Sequence, residues 1–286
     1  MKDIQIIASN PELRDYVEMK ANVVYAAPDG EALAMQIVRP MWKPEGAGFP
    51  LVVFIQGSAW TKPDQFEQIP QLVQLARRGY VVASVTHRSC FAAKAPAFLV
   101  DVKAAIRFLR AHAEEYGIDK RRVCAWGTSS GGNTALLLGM TGDDPAYDSG
   151  DWPGESSAVQ VVVDCFGPTD VNRMLTVQFK DIPREEKQLL FALGGADTEE
   201  GCREALDRIS PIRYVEPGRA FPPFLILHGD ADEMVRFEDS RELYDRLIAC
   251  GHEAEFVRVT GAPHEGPFWS AELLEIIFDF IGKRLG

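Results

Sequence analysis

Apolar and polar positions along the chain fall into two regimes. Near the start, strand-like stretches at residues 22–26 and 33–39 flank the turn signal Pro28-Asp29-Gly30, which predicts a hairpin-like beginning. A different pattern follows. Leu51-Val52-Val53-Phe54-Ile55 is apolar without a break, as a strand covered on both faces must be. Similar runs lie at 80–85, 123–126, 159–163, 224–227 and 256–259. Between them come stretches of helical period. The clearest spans 101–116, with Val102, Ala105, Ile106, Leu109 and Ala113 on one face and Lys103, Arg107, Arg110 and Glu114 on the other, before Gly117 ends it. Further helices are predicted at 66–78, 130–140, 239–249 and 271–284. Strands alternating with helices predict an α/β fold: a mostly parallel eight-stranded sheet with helices on both faces. No linker interrupts the pattern, so residues 1–286 read as one domain. The charge-rich stretch 171–209 is longer than a connection needs and predicts a small helical insertion, the kind of segment that covers a site.

Composition narrows the function classes. The 286 residues are 46% hydrophobic and 25% charged, enough for a large core with a pocket in it. A net charge of −12 repels phosphate backbones and anionic lipid, so neither nucleic acid nor a membrane is the expected partner. The partner to expect is a small molecule, and a homo-oligomer is left open. The five cysteines, at 90, 124, 165, 202 and 250, are scattered without a Cys-x-x-Cys pair, which fits a reducing compartment. The first residues carry no long apolar stretch, and no segment is long enough to span a membrane, so a cytoplasmic location is expected.

The chemistry enters at Gly127-Thr128-Ser129-Ser130-Gly131. Gly-x-Ser-x-Gly between a strand and a helix puts the serine on a tight, strained turn. Its hydroxyl then stands above the sheet edge, at a helix N-terminus that favours negative charge. A serine hydroxyl needs a base to act as a nucleophile. Of His87, His112, His228, His252 and His264, the last sits in the loop after the final strand. It also completes the chain order serine, acid, histidine. His228, in Leu227-His228-Gly229-Asp230, reads as structural; His112 and His252 suit surface or packing roles. The acid belongs after the preceding strand, where Asp230, Asp232 and Glu233 are available. Asp232 is favoured because Asp230 is tight against the strand end and suits bracing the loop, but all three stay open. The same letters could form a metal loop, yet no further cluster completes a site, so no metal is assigned.

From about residue 24 to 280 the chain resembles the bacterial acetyl-esterase and feruloyl-esterase-like branch of the α/β-hydrolases, related to hormone-sensitive-lipase-like esterases. The resemblance rests on residues 98–119, the elbow at 126–132, Asp164-Cys165-Phe166-Gly167-Pro168-Thr169-Asp170, Ser210-Pro211-Ile212, 222–235 and 261–264. It implies the α/β-hydrolase fold, a serine esterase without a cofactor, and a triad of Ser129, Asp232 and His264. It implies an oxyanion hole of the Ser58, Ala59 and Ser130 amides, and a structural part for Asp170. Two segments depart from the pattern. Gln56-Gly57-Ser58-Ala59-Trp60 stands where relatives carry His-Gly-Gly-Gly-Trp, and Gln56 is expected to keep a loop-bracing hydrogen bond. Thr86-His87-Arg88-Ser89 stands where relatives carry Tyr-Arg, with His87 in the tyrosine's place near the pocket. Trp60, Phe268 and Trp269 are candidates to line the substrate pocket. The family's substrates are small acetyl, carbohydrate-linked and hydroxycinnamoyl esters. The alternatives are a prolyl-oligopeptidase-like serine peptidase and a non-catalytic ligand-binding protein of the same fold.

Overall fold

The continuous apolar runs become strands of an eight-stranded sheet with order β1-β2-β4-β3-β5-β6-β7-β8, all interior except the run at 256–259, which forms the partly exposed edge strand β8. The computed structural model describes residues 4–44 and 46–286, so the reading of the first three residues lies outside the described part. The strands are β1 (Val17–Ala26), β2 (Leu33–Pro40), β3 (Phe49–Ile55), β4 (Val81–Val85), β5 (Ile118–Thr128), β6 (Val161–Cys165), β7 (Phe224–Gly229) and β8 (Ala254–Val259). The expected hairpin is present: β1 and β2 pair antiparallel, and β2 pairs antiparallel with β4. From β4 through β3, β5, β6 and β7 to β8 every pairing is parallel.

Every residue of β3 is buried, and the strand period of two sorts its side chains between two cores. Leu51, Val53 and Ile55 face one core, with α2 (Ala97–Ala111), α4 (Ser130–Thr141) and α8 (Phe237–Ala249) over it. Val52 and Phe54 face the other, beneath α1 (Ile69–Ala76) and α9 (Ala271–Leu285). The remaining helices are α3 (Ala113–Tyr116), α5 (Val171–Arg173), α6 (Gln188–Gly194) and α7 (Glu199–Arg208). The last three, with a turn of π-helix at Met174–Gln178, fill the charge-rich stretch 171–209.

The polar face of the helix at 101–116 is not left to solvent: Lys103, Arg107 and Arg110 are all buried. They pack against the excursion 142–158, whose free carbonyls need donors. Lys103 Nζ donates to the Gly142 carbonyl, and Arg107 Nε to that of Asp151 at 3.1 Å. Arg110 donates to the carbonyls of Lys120 at 3.0 Å, Ala158 at 2.7 Å and Ser156. Burial lowers the Lys103 ammonium to about 8, against the pull of Asp143. Several boundaries also move, among them the start of β1, at Val17 instead of 22. β5 begins at Ile118, because Ile118 pairs with Phe49 ahead of the polar run Lys120-Arg121-Arg122. β6 starts two residues later than expected, at Val161.

Arg110→Met keeps the aliphatic stem and removes the donors from three carbonyls. Each carbonyl left buried without a partner costs about 1–3 kcal/mol. Urea denaturation should therefore show a clear loss of stability, and limited proteolysis should cut first within residues 142–158.

Candidate active site

Strand β5 enters α4 through a turn that only certain backbones can make. Ser129, the N-cap of α4, has φ 51° and ψ −124°, outside the regions open to ordinary L-residues. The turn closes because its neighbours lack side chains. A Cβ on Gly127 would lie 2.1 Å from the Gly131 carbonyl oxygen, and one on Gly131 2.0 Å from that of Ile55. The Ser129 amide donates to the Cys165 carbonyl at 2.9 Å, which ties the turn to the end of β6. The hydroxyl is thereby lifted to the edge where β7 and β8 also end.

Those two ends supply its partners. His264, after β8, lies with Nε2 3.0 Å from Ser129 Oγ and Nδ1 2.7 Å from Asp232 Oδ2. Ionised Asp232 can only accept, so Nδ1 donates and Nε2 is free to accept the serine proton. Asp232 sits in the loop after β7, its side chain 1% exposed. Its Oδ1 accepts the amides of Met234 at 2.8 Å and Val235 at 2.9 Å, and its Oδ2 a further contact from His228 Nε2 at 3.1 Å. Burial pushes this carboxyl up, but the donors from His228, His264 and Val235 together hold it well below the usual carboxylate range. Of the three open carboxylates, then, Asp232 meets the histidine. Asp230 braces the loop, accepting from the Gly261 amide and Arg258 Nε at 2.6 Å each. Glu233 lines the cavity.

The oxyanion loop differs from expectation. The Ser58 amide donates to Ser130 Oγ at 3.0 Å, so it is not open to a ligand. The Gly57 amide donates to Thr128 Oγ1 at 2.8 Å. The Ala59 and Ser130 amides have no partner among the described residues, and both residues line the cavity. Ala59 and Trp60 have φ of 49° and 57°, which favours glycine in this loop and admits alanine as the smallest side chain. Gln56 does not brace the loop through its carbonyl: Oε1 is buried without a partner among the described residues, and the two loop amides above do the bracing.

A cavity of about 360 Å³ opens over Ser129 and His264. Trp60 lines it, its indole donating to Asn133 Oδ1 at 3.3 Å. Met174, Phe179, Leu189 and Leu190, all from 171–209, form an apolar wall. Phe268 and Trp269 do not line it. Phe268 is fully buried against Phe166, with ring centroids 4.7 Å apart, because the chain after His264 turns into the second core. Trp269 donates its indole N–H to Glu265 Oε2 at 3.1 Å. His87 is wholly buried beside Phe98, with Nδ1 2.8 Å from the Arg88 carbonyl, and is absent from the cavity lining. Asp170 caps α5 through the Arg173 amide at 3.0 Å and faces Arg213 at 3.4 Å, a structural part. His112 stacks on Phe108, and His252 meets the Glu216 carbonyl at 3.1 Å.

The sequence reading missed Glu265. It follows His264 with φ 63° and ψ −165°, a conformation otherwise left to glycine. Burial raises its carboxyl, and the neighbouring Glu67 adds to this, while the Trp269 indole and His264 pull the other way. Only its place beside the histidine could have signalled it.

The BD-FAE family model matches residues 35–247. The chain belongs to the BD-FAE family. This agrees with the resemblance to the α/β-hydrolases related to hormone-sensitive-lipase-like esterases that the motifs implied. Among curated relatives of this BD-FAE chain, Esterase LipC of Mycobacterium tuberculosis is 29% identical over 75% of it. The chain spans only 52% of LipC's length. A truncated carbohydrate esterase from gut microbiota superposes with a TM-score of 0.80 at 27% identity, over 96% of this chain and 98% of that one. A bifunctional GH43-CE protein of Bacteroides eggerthii gives 0.78 at 31% identity, over 97% of this chain and 39% of its own.

Two outcomes are expected. Gly131→Ala forces a methyl group onto the Ile55 carbonyl, so its thermal midpoint should fall below that of the parent. Asp232 has a lowered pKa, so its ionised form stabilises the fold. That contribution is present above the unfolded value of about 3.9 and fades as pH falls towards the lower folded value. Asp232→Asn should flatten this part of the acid dependence, measured by urea denaturation between pH 6 and pH 2.

Proposed function

We propose that the chain is a serine carboxylic-ester hydrolase acting by two-step acyl transfer. The observation that carries this reading is the continuous contact from Ser129 Oγ through His264 to Asp232, at 3.0 and 2.7 Å, on a strained turn beside an apolar cavity. Ser129 Oγ attacks the ester carbonyl as His264 Nε2 takes its proton, and Asp232 holds the imidazolium that forms. The Ala59 and Ser130 amides receive the oxyanion, each worth about 2.7–4 kcal/mol when well aimed. His264 then returns the proton to the leaving alcohol. In the second step it draws a proton from water, which attacks the acyl-enzyme, and hands that proton to Ser129 Oγ as the acyl–oxygen bond breaks and the carboxylic acid leaves.

The substrates we propose are small or carbohydrate-linked esters, with acetyl or hydroxycinnamoyl acyl groups. Support comes from the carbohydrate esterase of gut microbiota, which the chain matches along almost its whole length, and from the modest cavity. Segment 171–209 serves as the apolar wall against which the acyl or alcohol group rests. A cytoplasmic location is kept as part of this reading.

Para-nitrophenyl acetate is the first test. Ser129→Ala should lose at least about three orders of magnitude in kcat, as unit-like triads do. Equal turnover in both proteins, or none in the parent, sinks the esterase reading. A panel of acetylated sugars, feruloyl esters and peptides then ranks the substrate class, and preferred cleavage of peptides would overturn the carbohydrate-ester choice.

A further inference from the structure

His228 lies one residue before the end of β7 and is wholly buried, as is Ser240 on α8. Both of its ring nitrogens are engaged. Nε2 lies 3.1 Å from Asp232 Oδ2 and 3.1 Å from the Val235 carbonyl, while Nδ1 lies 2.7 Å from Ser240 Oγ. A carboxylate and a carbonyl only accept, so Nε2 carries the hydrogen. In the neutral ring, Nδ1 therefore accepts the Ser240 hydroxyl. The surroundings thus set the tautomer. One oxygen of Asp232, Oδ2, then receives two imidazole N–H groups, one from His264 and one from His228.

We propose that His228 is a positioning residue that acts through Asp232 to set how strongly His264 holds a proton. The proposal rests on the reading of Ser129, His264 and Asp232 as a catalytic relay. A carboxylate oxygen that already accepts one charge-stabilising bond offers less to the imidazolium on its other side. His228 therefore competes with His264 for the charge on Oδ2. The orientation of Asp232 does not depend on it, because the Met234 and Val235 amides anchor Oδ1 separately. Losing His228 should return charge to Oδ2 while leaving the carboxylate aimed at His264. The sign of the effect follows. The acid limb of kcat/KM must move to higher pH, whereas a carboxylate that swung away would move it lower.

The other groups around His264 stay constant in such a comparison. They are Glu265 on its own loop, Glu233 across the cavity, Ser129 at the start of α4, and the Phe166 ring 4.7 Å away at the end of β6. Glu67, ahead of α1, acts on Glu265 and is likewise untouched.

The test is the pH profile of kcat/KM for para-nitrophenyl acetate in the full chain, for the parent and three variants. His228→Met keeps bulk but cannot donate, and its acid-limb midpoint should rise by roughly half a unit or more. His228→Gln can still donate an amide N–H to Asp232 and should stay nearer the parent. Ser240→Ala removes the hydroxyl that polarises the ring, and should shift the midpoint in the same direction by less. A His228→Met protein with a parental or lowered midpoint overturns the proposal, as do glutamine and methionine variants with equal midpoints. If His228→Met fails to fold, Ser240→Ala decides: a raised midpoint supports the proposal and an unmoved one ends it. Failure of the esterase reading would show separately, as equal turnover in the parent and Ser129→Ala.

Discussion

The contact on which the rest depends is the close backbone approach between α4 and the ends of β3 and β5. Gly127 and Gly131 face backbone at distances that no Cβ could occupy, and Gly132 would meet the Asp164 side chain at 2.3 Å. With the helix pressed this close, the chain can enter it only through a residue with positive φ, and that residue is Ser129. Strain at the serine is thus the local consequence of tight packing beneath it. The entirely buried α4 and its neighbours in the core supply the energy that holds it there. Asp164 lies under this contact, wholly buried, with Oδ1 accepting the Gly167 amide at 2.9 Å and burial raising its carboxyl far above the usual range. A neutral acid is the form compatible with a site so dry and so short of cations.

Asp232 shows the opposite solution to burial. Its side chain is as hidden as that of a core residue, yet it keeps its charge because four hydrogen-bond donors converge on its two oxygens. Two are backbone amides, which cannot drift, and two are imidazoles, whose protons are set by their own surroundings. The division matters for mechanism. The amides fix where the carboxylate points, and the imidazoles share the charge that it offers.

Much of this was legible from the sequence, and the physical reasons for success and failure are specific. β3 was legible because an unbroken apolar run has no polar face to offer to water. Ser129 and His264 were legible because strand, turn, helix and chain order constrain them jointly. The acid was legible only to within Asp230, Asp232 and Glu233, since three carboxylates within four residues share one loop and only their backbone directions separate them. The buried cations of α2 were not legible, because their acceptors lie some 10–50 residues further along the chain. Phe268 and Trp269 were misread for a similar reason. Aromatic composition beside a histidine does not reveal which side of the sheet the following turn enters.

The altered glycine loop now has a physical account. Thr128 and Ser130 flank the serine, and their hydroxyl oxygens accept the amides of Gly57 and Ser58, respectively. The elbow therefore holds the loop opposite it in register on both sides of Ser129. Ala59 and Trp60 hold a positive φ that their side chains disfavour, which would otherwise pull the loop from this course. Two side-chain acceptors oppose that pull and leave the Ala59 and Ser130 amides open. The departure at Gln56-Gly57-Ser58-Ala59 is thus matched by polar residues inside the serine motif itself, which tie the loop to the turn at Ser129 through two hydrogen bonds.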